Sequence, residues 1–368
     1  MSEKLWQKAA KILVRASGNP LFQANDTMIE LLKTLLNEEQ AKFLFNFRNP
    51  ILTLEKLKEK TGMEENDLKV MLNSLMDEGF IFDKPNDESG IMEYHLLAPI
   101  PDIFEYSLVK KGSTEKRKKL AKIYDRMIVE ASKITQENYE TIMPIFKDEM
   151  PPFTRILPID EELVVPQEKT LPTDEASKII DKNDIISLSR CPCKFQRELL
   201  GDPCKATENQ FRCIHLGHFG RYFIEHGFGK QISKEEAKKV LLEAAQDGLV
   251  HKTFHYDWDI DKEENCICNC CKCCCIIFQS YYRGVWPFHT QTSYIAEVDE
   301  SKCEGCGTCI EKCPIEALSL IEGKSYLDEN KCIGCGVCVQ QCPEGAITLR
   351  KTELRRVFIP TPKVDVYD

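Results

Sequence analysis

The chain has no cysteine before Cys191, yet it carries 19, all in three tight groups within its C-terminal half. A disulfide framework would spread them out. Without an export signal the thiols stay reduced, and grouped thiolates then read as metal ligands. No apolar run approaches the roughly 18–20 residues that a membrane span requires, and Cys271 to Phe278 looks apolar only if cysteine is counted as such. Met1 to Val14 places Leu5, Ala9, Ile12 and Leu13 at helical spacing but lacks the unbroken apolar core and cleavage site of a secretory leader, which predicts a cytoplasmic protein. Positive charge is also short. A net charge of −10 excludes bulk attraction to nucleic acid or anionic lipid. The sequence has no glycine-rich, phosphate-cradling fingerprint for a nicotinamide or flavin, and no nucleophile with a recognisable base.

The 368 residues exceed what one hydrophobic core organises, and 42% hydrophobic residues suffice for several domains. Residues 1–110 read as helices followed by a hairpin. Helical apolar patterns cover Met28 to Phe47, Leu52 to Thr61 and Glu65 to Glu78, with Gly62 and Gly79 as punctuation. Phe80 to Phe82 and Met92 to Leu97 flank a turn-rich loop of Pro85, Asn86, Asp87, Ser89 and Gly90. That order resembles a winged helix, which implies DNA binding through the third helix. Here that helix carries Glu64, Glu65, Asp67, Asp77 and Glu78 against Lys69, a face that repels phosphate, so docking or dimerisation is expected instead. In 111–172, Glu115 to Ile134 predicts a long helix, whose Lys116 to Lys119 run is a solvated face. Met150 to Thr173, with short apolar runs at Arg155 to Leu157 and Leu163 to Val165, predicts an extended connection and a domain boundary.

The strongest signal lies near the C-terminus. Cys303, Cys306, Cys309 and Cys313 before Pro314 have the spacing C-x2-C-x2-C-x3-C-P, and Cys332, Cys335, Cys338 and Cys342 before Pro343 repeat it. In this two-cluster spacing the fourth cysteine of each run ligates the other cluster. Cys303, Cys306, Cys309 and Cys342 are therefore expected on one cubane, and Cys332, Cys335, Cys338 and Cys313 on its neighbour. Gly305, Gly307, Gly334 and Gly336 allow the backbone to approach the sulfides. Zinc sites pair C-x-x-C units rather than using this doubled four-cysteine run. Tyr294 to Arg350 thus resembles a bacterial-type 2x4Fe-4S ferredoxin, a resemblance that implies the cofactor but no particular reaction.

Residues 173–290 predict a cysteine-rich α/β domain. Thr173 caps a short helix through Lys182, Ile185 to Leu188 is a buried-strand candidate, and Ser233 to Glu236 is a capping box opening a helix to Gln246 before a return strand at Leu249 and Val250. Cys191, Cys193, Cys204 and Cys213 are enough for one cluster or one zinc, and their spacing matches neither common motif. His215 and His218 are substitute ligands or hydrogen-bonding neighbours. Cys266, Cys268, Cys270, Cys271, Cys273, Cys274 and Cys275 fill seven of ten positions. Adjacent side chains diverge on any regular backbone, so either two sites share the segment or some thiols are spare. The Asn269 to Cys274 stretch is similar to one in uncharacterised iron–sulfur proteins of anaerobic bacteria and archaea, which implies an anaerobic setting.

The sequence therefore predicts a multidomain α+β protein: a winged-helix-like region at 1–110, a helix and linker at 111–172, a metal-binding domain at 173–290, a ferredoxin domain at 294–350 and a tail at 351–368. The expected function is relay of low-potential electrons through two 4Fe-4S clusters to the central iron–sulfur or zinc site or to a redox partner protein. The alternatives are a reductase with a central catalytic site and a redox-sensing regulator.

Overall fold

A computed structural model describes residues 2–110, 112–150, 152, 154–158, 175–254 and 264–366. The N-terminal region begins with helices Ser2–Ser17, Asp26–Leu35 and Glu38–Phe43. The apolar pattern over Met28 to Phe47 is thus two helices rather than one. Leu36 leaves the first in an extended conformation, and Asn37 opens the second through a reciprocal capping box with Gln40, which satisfies backbone N–H groups that a continuous helix would not expose. Helices Leu54–Thr61 and Glu65–Asp77 follow, the first capped by Thr53 and closed by Gly62 at φ 65°. Strands Ile81–Pro85 and Met92–Leu96 form the hairpin. A third strand, Ile51–Thr53, pairs with Met92–Leu96, which makes an antiparallel sheet with the latter in the middle.

This region is anchored to the remainder of the chain at two places. Tyr222, on helix Gly217–Glu225, donates its hydroxyl to the carbonyls of Met76 (3.0 Å) and Ile81 (2.7 Å), and its ring packs edge-on against Phe82. His226 Nδ1 lies 2.7 Å from the Asp77 carboxylate. Helix Thr114–Glu137 provides the second anchor. Near its middle it pairs Arg126 with Glu30, and towards its end Ser132 and Thr135 donate hydroxyls to the carbonyls of Arg283 (2.5 Å) and Val285 (2.9 Å). The chain end returns to the same place: Tyr139 donates to the Thr361 carbonyl at 2.6 Å.

The centre is an eight-stranded sheet, ordered Ile347–Ile359, Phe288–Val298, Thr154–Leu157, Val250–Phe254, Cys266–Cys270, Phe211–Leu216, Ile186–Arg190 and Lys230–Gln231. All neighbours are antiparallel except Phe288–Val298 with Thr154–Leu157. Arg155 to Leu157, expected in an extended connection, is therefore an internal strand; Leu163 to Val165 and Thr173 lie outside the described residues. Strand Phe288–Val298 runs across the sequence-level division at 290–294, so one sheet carries both cysteine-rich segments.

Strand alternation gives the sheet two different faces. On one, Ile186, Leu188, Ile214, Leu216 and Ile267 pack under helices Glu175–Lys182 and Lys234–Gln246 through Ile179, Ile180, Val240 and Leu241. Arg212 fastens the second helix by pairing with Glu243 and Asp247, each at 2.8 Å. The other face presents the sulfur. Tyr222→Phe removes the buried hydroxyl; the Met76 carbonyl keeps the Gly79 N–H at 2.9 Å, but the tie to Ile81 goes, and about 1–3 kcal/mol of stability should be lost. Denaturant unfolding of the variant checks this; an unchanged midpoint would show that the hairpin does not rely on Tyr222.

Candidate metal centres

Each cysteine run near the C-terminus wraps a loop around a small cavity and then enters a short helix, Thr308–Lys312 or Val337–Gln340. The first cavity, about 20 Å³, is lined by Cys303, Cys306, Cys309 and Cys342; the second, of the same size, by Cys332, Cys335, Cys338 and Cys313. Three cysteines come from one loop and the fourth from the end of the other run. Backbone N–H groups aim at sulfur, from Ala317 to Cys313 (3.3 Å), Ala346 to Cys342 (3.3 Å) and Ser325 to Cys303 (3.4 Å). Such donors stabilise thiolate charge, as iron–sulfur ligation requires.

The loops leave no room for side chains at two glycines. A Cβ on Gly305 would lie 2.1 Å from the Gly323 carbonyl oxygen, and one on Gly334 would lie 2.2 Å from that of Tyr294. The two cavities differ in exposure. Cys306 is exposed and Cys303 and Cys342 are partly so, whereas Cys313, Cys332, Cys335 and Cys338 are all buried.

The eleven central cysteines fall into two groups. Alternation puts Cys266, Cys268 and Cys270 on the sulfur-bearing face, and register sets Cys213 on one side of Cys268 and Lys252 on the other. Cys191 and Cys193, at the start of helix Pro192–Leu199, and Cys275, at the start of helix Ile276–Tyr282, complete the wall. Cys191, Cys193, Cys213, Cys266, Cys268, Cys270 and Cys275 thus face one space. These cysteines line a cavity of about 170 Å³ whose remaining walls include Ile100, Phe146, Ile277 and Trp286.

The second group is Cys204, Cys271, Cys273 and Cys274, whose sulfurs all lie within 4.8 Å of one another. Cys204 comes from the loop after helix Pro192–Leu199, and the others from the turn between strand Cys266–Cys270 and helix Ile276–Tyr282. Neighbours in sequence are therefore divided: Cys204 is separated from Cys191, Cys193 and Cys213, and Cys271 lies beside Cys270 yet belongs to the other group. Cys271 also lines the large cavity, so the two groups share a wall.

Two lysines without any motif of their own accompany the thiols. Lys252 is fully buried and donates to Cys275 Sγ at 3.2 Å. Burial alone would discharge it, but the Cys270, Cys275 and Cys268 sulfurs outweigh this and raise its pKa. Lys194 is 1% exposed and, among the described residues, its ammonium has no hydrogen-bond partner. Burial opposes its charge too, and the sulfurs of Cys191, Cys271, Cys204 and Cys213, from both groups, restore it. Across the cavity, burial drives the Glu105 carboxyl well above its usual range and the Asp102 carboxyl up to about 7. Neither carboxyl stands out in sequence.

The two histidines part company. His215 reaches the cavity, bonds Ser189 Oγ through Nε2 (2.8 Å) and stacks on Phe223 at 3.5 Å. His218 turns towards the N-terminal hairpin, where its Nε2 lies 2.7 Å from the Asp83 carbonyl.

Comparison with known proteins agrees with the C-terminal geometry: residues 302–347 match the family model of the 4Fe-4S dicluster domain. This segment is a ferredoxin-type domain. No curated protein matches the chain. The ferredoxin domain makes the chain an iron–sulfur protein with electron-transfer chemistry, and among the described residues no helix is long and apolar enough to cross a membrane. Gly334→Ala forces a Cβ into the Tyr294 carbonyl, so the ferredoxin loop cannot close around iron. The variant should lose about four irons per chain, and iron and sulfide analysis that matched the parent would overturn this.

Proposed function

We propose that the chain is an iron–sulfur electron-transfer protein, or redox-enzyme subunit, that relays low-potential electrons in an anaerobic cytoplasm. Cys303, Cys306, Cys309 and Cys342 would hold one 4Fe-4S cluster, and Cys332, Cys335, Cys338 and Cys313 the other. The observation that carries this reading is the pair of small cavities, each gathering three cysteines of one run with the fourth of the other. When bound, the clusters supply one-electron chemistry; the chain sets their potential through burial and N–H bonds to sulfur.

Exposure suggests a direction. The site with exposed Cys306 suits exchange with a partner protein, whereas the fully buried site abuts the central domain. There Tyr282 donates to the carbonyl of Pro314, next to Cys313, at 2.9 Å, and Lys272 pairs with Glu316 at 2.7 Å. Tyr282 and Lys272 flank the segment that follows Cys271, so the inner cluster faces the central cysteines. The winged-helix-like region acts as a docking module: its hairpin is engaged by Tyr222 and His218, and its acidic helix Glu65–Asp77 does not favour DNA.

Anaerobically purified protein should contain at least about eight irons per chain and, after dithionite reduction, give the paramagnetic spectrum of two interacting clusters. Cys313→Ala should remove the cluster of the second run and leave an uncoupled signal from the first. Loss of the first cluster instead would overturn the crossed ligand assignment.

One observation favours a second reading, a reductase. The central cavity brings the cysteine wall opposite the Glu105 carboxyl, whose burial favours its protonated form and whose Oε2 has no hydrogen-bond partner among the described residues. A protonated acid beside a redox site supplies the proton that accompanies electron addition to a bound substrate. If this holds, the isolated chain oxidises reduced viologen steadily with a small-molecule acceptor, and Glu105→Gln slows that turnover at unchanged iron content. Strict dependence on a partner protein counts against it.

A further inference from the structure

We infer that Cys204, Cys271, Cys273 and Cys274 bind a single tetrahedral zinc ion, a mononuclear centre distinct from the cysteine-lined cavity beside it. The inference goes beyond the relay function and does not depend on it.

Sulfur spacing carries the argument. Cys204 Sγ lies 3.6 Å from Cys271 Sγ and 3.9 Å from Cys273 Sγ, and Cys273 Sγ lies 3.7 Å from Cys274 Sγ. Four sulfurs at about 2.3 Å from one zinc stand at the corners of a tetrahedron with edges of about 3.8 Å. Three of the six separations match those edges, and all six fall within 4.8 Å. Thiolates on a cubane each bind a different iron at a separate corner, so they stand farther apart. The same molecule supplies the comparison: among the described residues, no three ferredoxin cysteines have sulfurs within 4.8 Å of one another, and only the Cys204 group does.

Charge gives a second, independent observation. Four thiolates around a divalent ion leave a net charge of about −2 that needs a nearby cation. Lys194 supplies one. Its side chain is buried, lines the cavity beside Cys191, Cys213 and Cys271, and its Nζ has no hydrogen-bond partner among the described residues. An ammonium without hydrogen bonds in the interior is tolerable only beside fixed negative charge.

Four protein ligands fill the tetrahedron, so the ion has no open position and its role is structural rather than catalytic. It ties the loop carrying Cys204 to the turn carrying Cys271, Cys273 and Cys274. Those segments follow the helix that begins at Cys191 and the strand that ends at Cys270, so the ion would fix two walls of the neighbouring cavity. Any redox chemistry in the central domain then belongs to Cys191, Cys193, Cys213, Cys266, Cys268, Cys270 and Cys275.

The test uses the full chain purified without oxygen. Zinc should be present at one per chain, and zinc-edge X-ray absorption should show four sulfurs at about 2.3 Å with no neighbouring metal. Cys204→Ser and Cys273→Ser should each abolish or sharply lower zinc while iron content and the ferredoxin spectrum stay unchanged. Loss of about four irons in those variants, a metal–metal scattering shell, or one iron in place of zinc would overturn the assignment. Should the variants fail to fold, zinc content and absorption of the parent protein decide the question. Failure of the relay reading would show separately, as absence of the ferredoxin signal.

Discussion

Buried thiolate charge needs compensation, from N–H donors as in the ferredoxin loops or from buried positive charge, and the central domain is arranged around the second of these. Transferring an ammonium out of water costs several kcal/mol even after relaxation. Lys194 and Lys252 nevertheless lie within the core, and among the described residues neither pairs with a carboxylate. Each faces sulfur. Lys252 is fixed by strand register opposite Cys268, with the Phe278 ring 4.9 Å from its ammonium, so its charge is delivered to one place. Lys194, one residue after Cys193, lines the cavity. Discharging either residue would leave buried thiolate charge uncompensated, which is why the cysteines and these lysines have to be considered as one unit.

The two-faced sheet makes this unit possible. One face is sealed by isoleucines, leucines and two helices, which frees the opposite face from any need to supply an apolar core. The same sheet continues through strand Phe288–Val298 into the ferredoxin strands, and the pairing of that strand with Ile347–Ile359 holds both domains to one frame. An electron carrier benefits from such rigidity, because the separation between centres is set by covalent and hydrogen-bonded structure rather than by a linker. The N-terminal region closes the cavity from the other side, through Ile100 and Asp102 on an irregular segment and Glu105 on the helix Phe104–Val109 that follows.

Much of the ferredoxin domain was legible because its ligand pattern is local: spacing, glycines and prolines all lie within one short stretch. Helix limits were also close where caps are strong, as at Ser233 and Glu236. The break at Asn37 was not legible, since apolar residues continue across it and only the reciprocal bond with Gln40 divides the helices. The division of the central cysteines was hidden for a different reason. Cys204 meets Cys271 across 67 residues, a contact set by tertiary packing that no local spacing records. The alternation of Cys266, Cys268 and Cys270 did carry a strand signal, obscured by the adjacent cysteines that follow. Lys194, Lys252, Asp102 and Glu105 had no signal, because a charged residue in sequence looks the same whether it ends in solvent or in a cavity.

The two central cysteine groups differ in how their geometry is paid for. Cys213, Cys266, Cys268 and Cys270 sit on paired strands, so backbone hydrogen bonds fix their directions before any metal arrives. Cys204, Cys271, Cys273 and Cys274 come from a loop and a turn, where no ladder enforces convergence. For such a site the ion itself supplies the ordering free energy, so metal binding and local folding are one event. The strand-borne wall can exist without its ligand; the loop-borne site cannot. Because Cys271 follows Cys270 directly, closing the loop site also fixes the end of the strand-borne wall. Completion of the cavity is thereby coupled to occupation of the site beside it.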